Sequence, residues 1–244
     1  MRRRLLLLQI RDQPEAERQE RACFIDACGV AVDELEAINV VVSPRLTWNQ
    51  VRHADALLVG GAGEHSATRD YDFSGPVGEV VRRWLDERRP FFGSCFGHHF
   101  VARLLGGEVI TDRSCEEIGS FDVELTPEGR ADRLFADLPP KLTVQLGHHD
   151  RVSGLPPGAR SLAHSERCPH QAIGLPGELA YTTQFHPELS REDIRSRLMM
   201  YREGYLDVDV DASRDGDSID RSIDRMLRPS PLAPRLLRRF VDLL

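Results

Sequence analysis

One short stretch constrains the fold more than any other part of this 244-residue chain. Residues 91–99 read FFGSCFGHH, so an apolar run typical of a buried strand leads through a glycine-flanked cysteine into a helix-like segment at 100–105. Glycines two residues before and two residues after Cys95 allow a tight strand-to-helix turn, which exposes the sulfur at a helix N-terminus and favours the thiolate. The stretch predicts an α/β fold and a nucleophilic Cys95, although a cysteine in such a turn can also be simply a small buried residue.

The segments around this turn alternate between strand and helix in the first half of the chain. Strands are predicted at residues 5–10, 31–37, 56–60 and 91–93, and helices at 14–29, 48–53 and 76–89. From residue 108 to residue 188 the pattern becomes rich in strands that are separated by Pro and Gly turns. This order predicts an open, mostly parallel sheet with helices on both faces and added antiparallel strands, whose active site lies at the carboxyl ends of strands.

Composition and charge exclude several classes of function. The formal net charge of −7 argues against a nucleic-acid partner, because phosphate binding needs a clustered positive surface. Lys141 is the only lysine, so the chain lacks the lysine of a P-loop. No apolar run approaches the ~20 residues of a membrane span, and the N-terminal apolar run is shorter than that of a signal peptide. Five cysteines without CxxC spacing fit reduced thiols in a cytoplasmic protein.

A histidine and a carboxylate follow a second apolar strand. The segment 182–188 reads TTQFHPE and places His186 two residues before Glu188, with a proline between them that stiffens the link. A nucleophilic thiol needs a base, and the base needs an acid that orients it. Taken separately, His186 is more often an ordinary loop histidine and Glu188 a charge at a helix N-terminus. Together with the turn at Cys95 they predict a catalytic triad.

A glycine-rich loop follows the strand predicted at 56–60. Residues 57–66 read LLVGGAGEHS, and the glycines leave backbone N–H groups open to an oxyanion, as acyl transfer requires. Such a loop is often only a turn, and it can also bind phosphate. The absence of a GxGxxG pattern and of a nearby lysine makes phosphate the weaker alternative.

The motifs GSCFGH, QFHPE and VGGAGEHS, at these intervals, resemble those of the class I (triad) glutamine amidotransferases. The resemblance covers about residues 5–189 and implies a flavodoxin-like α/β fold. It also implies that Cys95 is the nucleophile, His186 the general acid and base, and Glu188 the residue that orients His186. The backbone N–H groups of Gly61 and Phe96 would form the oxyanion hole, and no metal or organic cofactor would be needed.

The same resemblance assigns substrate-binding roles, although it is not complete. It implies that His99, Gly60, Ala62 and His149 contact the substrate. His99 occupies the position where the family usually has a glutamine that holds the substrate, and an imidazole there can become cationic near neutral pH, which would favour a ligand with an extra carboxylate. The substrate is therefore expected to be glutamine or another γ-glutamyl compound.

The C-terminal part of the chain suggests a stand-alone enzyme. Residues 1–190 are predicted to form the amidotransferase-like domain, and 191–244 a helical extension whose last helix packs on that domain. The acidic stretch 207–217 lacks an apolar period and is predicted to be a mobile loop. The length of this extension resembles the stand-alone members of the family, of the γ-glutamyl peptide hydrolase or GMP synthase glutaminase type, and a separate synthase subunit would then receive the ammonia.

Two alternatives remain open at this point. A metal site built from the adjacent histidine pairs 98–99 and 148–149 is disfavoured, because neighbouring histidines cannot easily bind one ion. The other four cysteines are interpreted as structural. The second alternative is a regulatory or binding module that has the same fold but binds the substrate poorly, as His99 in place of the usual glutamine would indicate.

Overall fold

The computed structural model describes residues 3–201 and 216–244, with side chains in the second range described from residue 220 onward. The strands are β1 (Leu5–Ile10), β2 (Leu35–Asn39), β3 (Ala56–Ala62), β4 (Phe91–Ser94), β5 (Glu108–Thr111), β6 (Glu117–Leu125), β7 (Lys141–His148), β8 (Asp150–Gly154), β9 (Arg160–His164), β10 (Ala172–Gly174) and β11 (Ala180–Thr183). The helices are α1 (Pro14–Cys28), α2 (Trp48–Val51), α3 (Ser74–Asp86), α4 (Phe96–Leu104), α5 (Pro127–Ala131), α6 (Arg191–Met200), α7 (Gly216–Met226) and α8 (Pro234–Asp242).

The central sheet has a parallel part and an antiparallel part. Within the described residues its strand order is β2-β1-β3-β4-β11-β10-β9-β6-β7, while β5 and β8 form a separate antiparallel pair. The pairs from β2 through β1, β3 and β4 to β11 are parallel. The pairs from β11 through β10, β9 and β6 to β7 are antiparallel. The predicted fold class, an open α/β sheet with added antiparallel strands, is confirmed.

Strand β1 is buried along its whole length, which shows that both faces of the sheet are covered there. Successive side chains of a strand point to opposite faces. Leu5 and Leu7 accordingly join one core with residues of α1 and α8, whereas Leu6 and Leu8 join another with residues of α3 and α4. Helix α8 contributes Phe240, whose ring lies 5.6 Å from that of Phe92 in β4. The last helix therefore packs on the same sheet that carries the turn at Cys95.

Several element boundaries differ from the prediction. Strand β2 begins at Leu35 rather than at residue 31, because residues Val32–Glu34 form a 3₁₀ turn and the Glu34 carboxylate accepts the N–H of Ala31. Helix α4 begins at Phe96, immediately after the cysteine, rather than at residue 100.

The C-terminal predictions are tested only in part. The predicted mobile loop 207–217 lies outside the described residues, apart from its last two, which begin α7. The division into a domain at 1–190 and an extension at 191–244 stays a prediction. Among the described helices, none has both the length and the apolarity needed to cross a membrane.

Candidate active site

Cys95 lies in the sharp turn between β4 and α4. Its backbone has φ 49° and ψ −99°, a left-handed region that non-glycine residues rarely adopt. The turn is held by the Cys95 N–H, which donates to the Thr183 carbonyl in β11 at 2.8 Å. It also requires Gly97, because a Cβ at that position would lie 2.5 Å from the Val59 carbonyl oxygen. The thiol is thereby fixed at the first turn of a helix, where the backbone dipoles favour negative charge.

His186 and Glu188 form a buried pair beside this turn. The His186 Nδ1 lies 2.6 Å from the Glu188 Oε1, and the hydroxyl of Ser94 donates to Glu188 Oε2 at 3.0 Å. His186 is anchored through its backbone N–H, which donates to the Gln145 carbonyl of β7 at 2.9 Å. Because Ser94 directly precedes Cys95, the cysteine turn and the carboxylate are connected through one side chain.

The electrostatics of this pair favour a charged imidazole. Burial alone would lower the pKa of His186, but the Glu188 carboxylate and the neighbouring sulfur of Cys95 together raise it to about 9. Burial would raise the pKa of Glu188, and the neighbouring His186 outweighs that effect and lowers it. These neighbours favour the imidazolium form of His186 at neutral pH.

The predicted oxyanion donor Gly61 already has a partner. Its N–H donates to Glu20 Oε1 of α1 at 3.1 Å, and the same oxygen accepts from Arg11 Nη2 at 2.6 Å. Glu20 and Arg11 are 0% and 1% exposed, so this is a fully buried ion pair beneath the glycine loop. In this conformation the Gly61 N–H is not directed at an oxyanion.

Gly61 nevertheless lies next to the reactive groups. A Cβ at Gly61 would lie 2.8 Å from Cε1 of His186 and 3.7 Å from Cβ of Cys95. Gly60, in contrast, faces α1, where a Cβ would lie 2.6 Å from Glu20 Oε1. The placement of Gly60 against Glu20 does not support its predicted contact with a substrate.

A cavity of about 340 Å³ opens at the cysteine. Of the predicted site residues, those that line it are Ala62, Cys95, Phe96, His99 and His149. Cationic or aromatic side chains that the sequence did not single out also line it, namely His65, Arg69, Arg113 and Tyr201. The cavity is thus lined mostly by the loop after β3, the start of α4 and the end of β7.

His99 differs from its predicted electrostatic character. It is 3% exposed, and its Nε2–H donates to Gln184 Oε1 at 2.6 Å. Burial lowers its pKa to about 4, against the smaller opposing effects of Asp150 and Gln184. The expectation that His99 becomes cationic near neutral pH is therefore wrong, because a buried imidazole without a bonded carboxylate stays neutral. A neutral His99 gives no charge-based preference for a ligand with an extra carboxylate.

His149 and Asp150 directly follow β7 and line the cavity on that side. His149 Nδ1 lies 2.7 Å from Glu116 Oε2. The Asp150 carboxylate accepts from the Ser66 hydroxyl at 2.7 Å, the Ala67 N–H at 3.0 Å and the Thr111 hydroxyl at 2.6 Å. Asp150 therefore ties the glycine-rich loop to the antiparallel part of the structure.

Sequence reasoning missed Glu20 and Arg11. A signal for Glu20 was present, because residues 16, 20, 23, 24 and 27 fall on one face of α1 and the other four are Ala, Cys, Phe and Ala. A carboxylate in that apolar stripe indicates a buried partner. Nothing in the sequence indicated that its partners would include the Gly61 N–H.

Comparison with known proteins decides the family. The sequence profile described as "Glutamine amidotransferase class-I" matches residues 30–201, which include the cysteine turn and the His186–Glu188 pair. The chain belongs to the class-I glutamine amidotransferase family.

Two relatives of this family member are each named as one subunit of GMP synthase (glutamine-hydrolyzing). The protein from Thermococcus kodakarensis is 32% identical over 124 residues, which cover 51% of this chain and 64% of that protein. The protein from Sulfurisphaera tokodaii is 30% identical over 154 residues, which cover 63% of this chain and 78% of that protein. The match to the first of these spans less than two thirds of its length.

Solved structures show the same fold. A glutamine amidotransferase from Thermotoga maritima superposes on this family member with a TM-score of 0.74 at 21% identity, with 99% of each chain covered. A glutamine amido transferase from Methylobacillus flagellatus gives a TM-score of 0.75 at 21% identity, with 100% of this chain and 96% of the other covered. At this identity the likeness concerns the fold, and the chemistry rests on the side chains of this chain.

Proposed function

We propose that this chain hydrolyses the side-chain amide of glutamine or of another γ-glutamyl compound through a thioester on Cys95. One observation carries the proposal: His186, held at 2.6 Å by Glu188, lies beside Gly61 together with a cysteine at a helix N-terminus that opens into a cavity. A nucleophile, a base and an orienting acid in this order form the arrangement that acyl transfer uses. Membership of the family supports the choice of a glutamine amide as the bond that is cleaved.

The first half-reaction transfers the acyl group to the enzyme. The Cys95 thiolate attacks the amide carbon, and the carbonyl oxygen becomes an oxyanion. The imidazolium of His186 then gives its proton to the amide nitrogen, the C–N bond breaks, and ammonia leaves. A γ-glutamyl thioester and a neutral His186 remain.

The second half-reaction releases the acid. Neutral His186 takes a proton from a water molecule, and the resulting hydroxide attacks the thioester carbon. The C–S bond breaks, glutamate leaves, and the thiolate and imidazolium are restored. The product acid loses its proton to the released ammonia, so that glutamine and water together give glutamate and ammonium.

The oxyanion needs two donors. The Phe96 N–H belongs to the first turn of α4, where N–H groups have no partner within the helix. The Gly61 N–H becomes the second donor when its peptide rotates away from Glu20, and glycine permits such a rotation. Substrate binding therefore includes a local change in the loop after β3.

Released ammonia is expected to pass to a separate synthase subunit. Support comes from the relatives named as one subunit of GMP synthase (glutamine-hydrolyzing), since that name describes part of a glutamine-hydrolysing enzyme. A second candidate is a binding module without turnover, and the contact between Gly61 and Glu20 favours it, because that contact keeps one oxyanion donor turned away.

An activity assay tests the proposal and separates the two candidates. Ammonia and glutamate release would be measured with glutamine and with a panel of γ-glutamyl peptides, for the wild type, Cys95→Ala and Cys115→Ala. The same three proteins would be treated with a glutamine-like chloroketone. We expect turnover and labelling in the wild type and Cys115→Ala, and neither in Cys95→Ala. Binding of a γ-glutamyl ligand without turnover or labelling in the wild type would support the binding module instead.

A further inference from the structure

A second cluster of reactive side chains lies behind the cavity wall. It consists of Glu117 at the start of β6, His148 at the end of β7 and Cys168 in the segment between β9 and β10. One ligating atom of each residue lies within 4.8 Å of the other two, and each residue is at most 3% exposed. Carboxylate, imidazole and thiol therefore converge in a place that is closed to solvent.

The hydrogen bonds of His148 show that the cluster needs a cation. Nδ1 lies 2.9 Å from the backbone carbonyl of Asp150, and because a carbonyl can only accept, Nδ1 carries the proton. The other nitrogen, Nε2, lies 3.1 Å from Oε2 of Glu117. If the His148 ring were neutral with its proton on Nδ1, the lone pair of Nε2 would face a lone pair of Glu117 Oε2 at this distance. Either a proton or a metal ion must lie between them.

The contacts of Cys168 and Gln171 also favour a bound cation in this cluster. The sulfur of Cys168 lies within 4.8 Å of the ligating atoms of Glu117 and His148, and it donates to the Cys115 carbonyl at 3.6 Å. Gln171 Nε2 donates to the same carboxylate at 2.5 Å. The Oε1 of Gln171, on a residue with no exposed surface, has no hydrogen-bond partner among the described residues. Rotation of the Gln171 side-chain amide would exchange its nitrogen and oxygen. The Oε1 atom would then face the cluster, where it could be a fourth ligand.

We propose that Glu117, His148 and Cys168 bind one Zn²⁺, with the Gln171 side-chain oxygen as the fourth ligand. Zinc binds this combination of S, N and O donors, and a tetrahedral site places the donor atoms roughly 3–4 Å apart, so the observed cluster needs only a small contraction. A thiolate with an imidazole disfavours Mg²⁺ and Ca²⁺.

Charge also balances in this site. Zn²⁺ bound by one carboxylate, one thiolate and two neutral ligands gives a site with no net charge, so the buried metal leaves no uncompensated charge. Because all ligand positions come from buried side chains, the site is closed and the metal is structural.

The role of the zinc is to hold one wall of the cavity. It would join β6, β7 and the segment that carries Cys168, and His148 lines the cavity together with Gly147. The Gly147 carbonyl lies 3.9 Å from the Cys95 sulfur. The metal would therefore position the end of β7 against the nucleophile without contacting the reacting atoms.

Metal content after dialysis against a weak chelator tests this proposal. We expect one zinc per chain in the wild type and in Cys23→Ser, a matched control at another buried cysteine. Cys168→Ser and Glu117→Gln should lose affinity by at least about tenfold. Cys95→Ala should keep the zinc, because Cys95 is not a ligand. Zinc that is lost in Cys95→Ala and kept in Cys168→Ser would place the metal at the active site and overturn the proposal.

Cobalt substitution of the unmutated protein covers the case in which the ligand variants fail to fold. Co²⁺ bound by Cys168 should give a thiolate-to-metal charge-transfer band in the wild type and in Cys95→Ala. Stoichiometric Zn²⁺ should also raise the midpoint of thermal unfolding of both proteins. Absence of the band and of the thermal shift in the wild type would reject the site, whatever the outcome of the amide hydrolysis assay.

Discussion

The carboxylate of Glu20 accepts the N–H of Gly61 at 3.1 Å while it binds Arg11, so a buried ion pair reaches directly under the glycine loop. Replacing one member of a fully buried pair leaves an uncompensated charge in a low dielectric. Helix α1, which carries Glu20, thereby contributes both to the stability of the fold and to the conformation of the loop beside Cys95.

Glu20→Gln is expected to lower the free energy of unfolding by about 3 kcal/mol, because Arg11 stays buried after the carboxylate that it binds has been neutralised. Glu124→Gln is the matched control. Glu124 pairs with Lys141 at 3.2 Å, but both side chains are more than half exposed, so its loss should cost less than about 1 kcal/mol. Urea denaturation of the two variants measures the difference, and equal losses would contradict the burial argument.

Gly61→Ala should reduce amide hydrolysis by about 100-fold. The added Cβ would lie 2.8 Å from His186 Cε1 and 3.1 Å from Arg11 Nη2, so the imidazole must move, and small displacements of catalytic groups have effects of that order. Gly75→Ala is the control, because no atom lies within 4 Å of its Cβ and the site is helical. We expect Gly75→Ala to keep full kcat and to gain about 0.5–1 kcal/mol of stability. Wild-type kcat in Gly61→Ala would show that His186 is not held against this glycine.

His99→Gln is expected to lower the KM for glutamine about tenfold. A neutral His99 that donates through Nε2 to Gln184 has only an acceptor left for a ligand, whereas a glutamine amide both donates and accepts. One additional hydrogen bond in a buried site is worth about 1–3 kcal/mol. Steady-state kinetics checks this, and an unchanged or raised KM would mean that the imidazole holds the substrate as well as an amide does.

Stability should fall as the pH rises past neutrality. The folded-state pKa of His186 is raised from 6.5 to about 9, so the folded protein binds this proton more tightly than the unfolded chain does. The resulting stabilisation is fully present below pH 6.5 and is lost as the pH rises through about 9, and at 1.36 kcal/mol per pKa unit it amounts to at most about 3 kcal/mol.

His186→Gln serves as the reference for this pH effect. Buried thiols also weaken the fold at high pH, since burial raises the pKa of Cys23 and Cys28 to values above that of a free thiol. Urea denaturation from about pH 6.5 to about pH 9.5 should therefore show a shallower decline in His186→Gln than in the wild type. Parallel curves would exclude a charged His186.

Much of the fold follows from local sequence pattern. The mostly apolar run of β1 indicates a buried strand, and the glycines on both sides of Cys95 indicate the strand-to-helix turn, so both were predicted. The start of β2 was not, because the Glu34 side chain that closes the preceding turn reads as an ordinary charged residue.

The candidate site was predictable where its parts are close in sequence. His186 and Glu188 are two residues apart, and a proline restricts the link, so their contact is nearly local. Glu20 lies 41 residues from Gly61, and only the tertiary fold brings them together. The charge state of His99 likewise depends on burial by residues from several elements, which sequence spacing does not reveal.

The packing of α8 has a consequence for biosynthesis. Leu236, Leu237 and Phe240 fill the same core as Leu5 and Leu7, which lie in the first strand of the sheet and are translated long before them. Until Phe240 has emerged, one face of the parallel strands lacks its cover and stays exposed to chaperones and to other nascent chains. A chain that stalls on the ribosome anywhere before Pro234 would thus expose an apolar sheet face to the quality-control machinery instead of forming a folded enzyme.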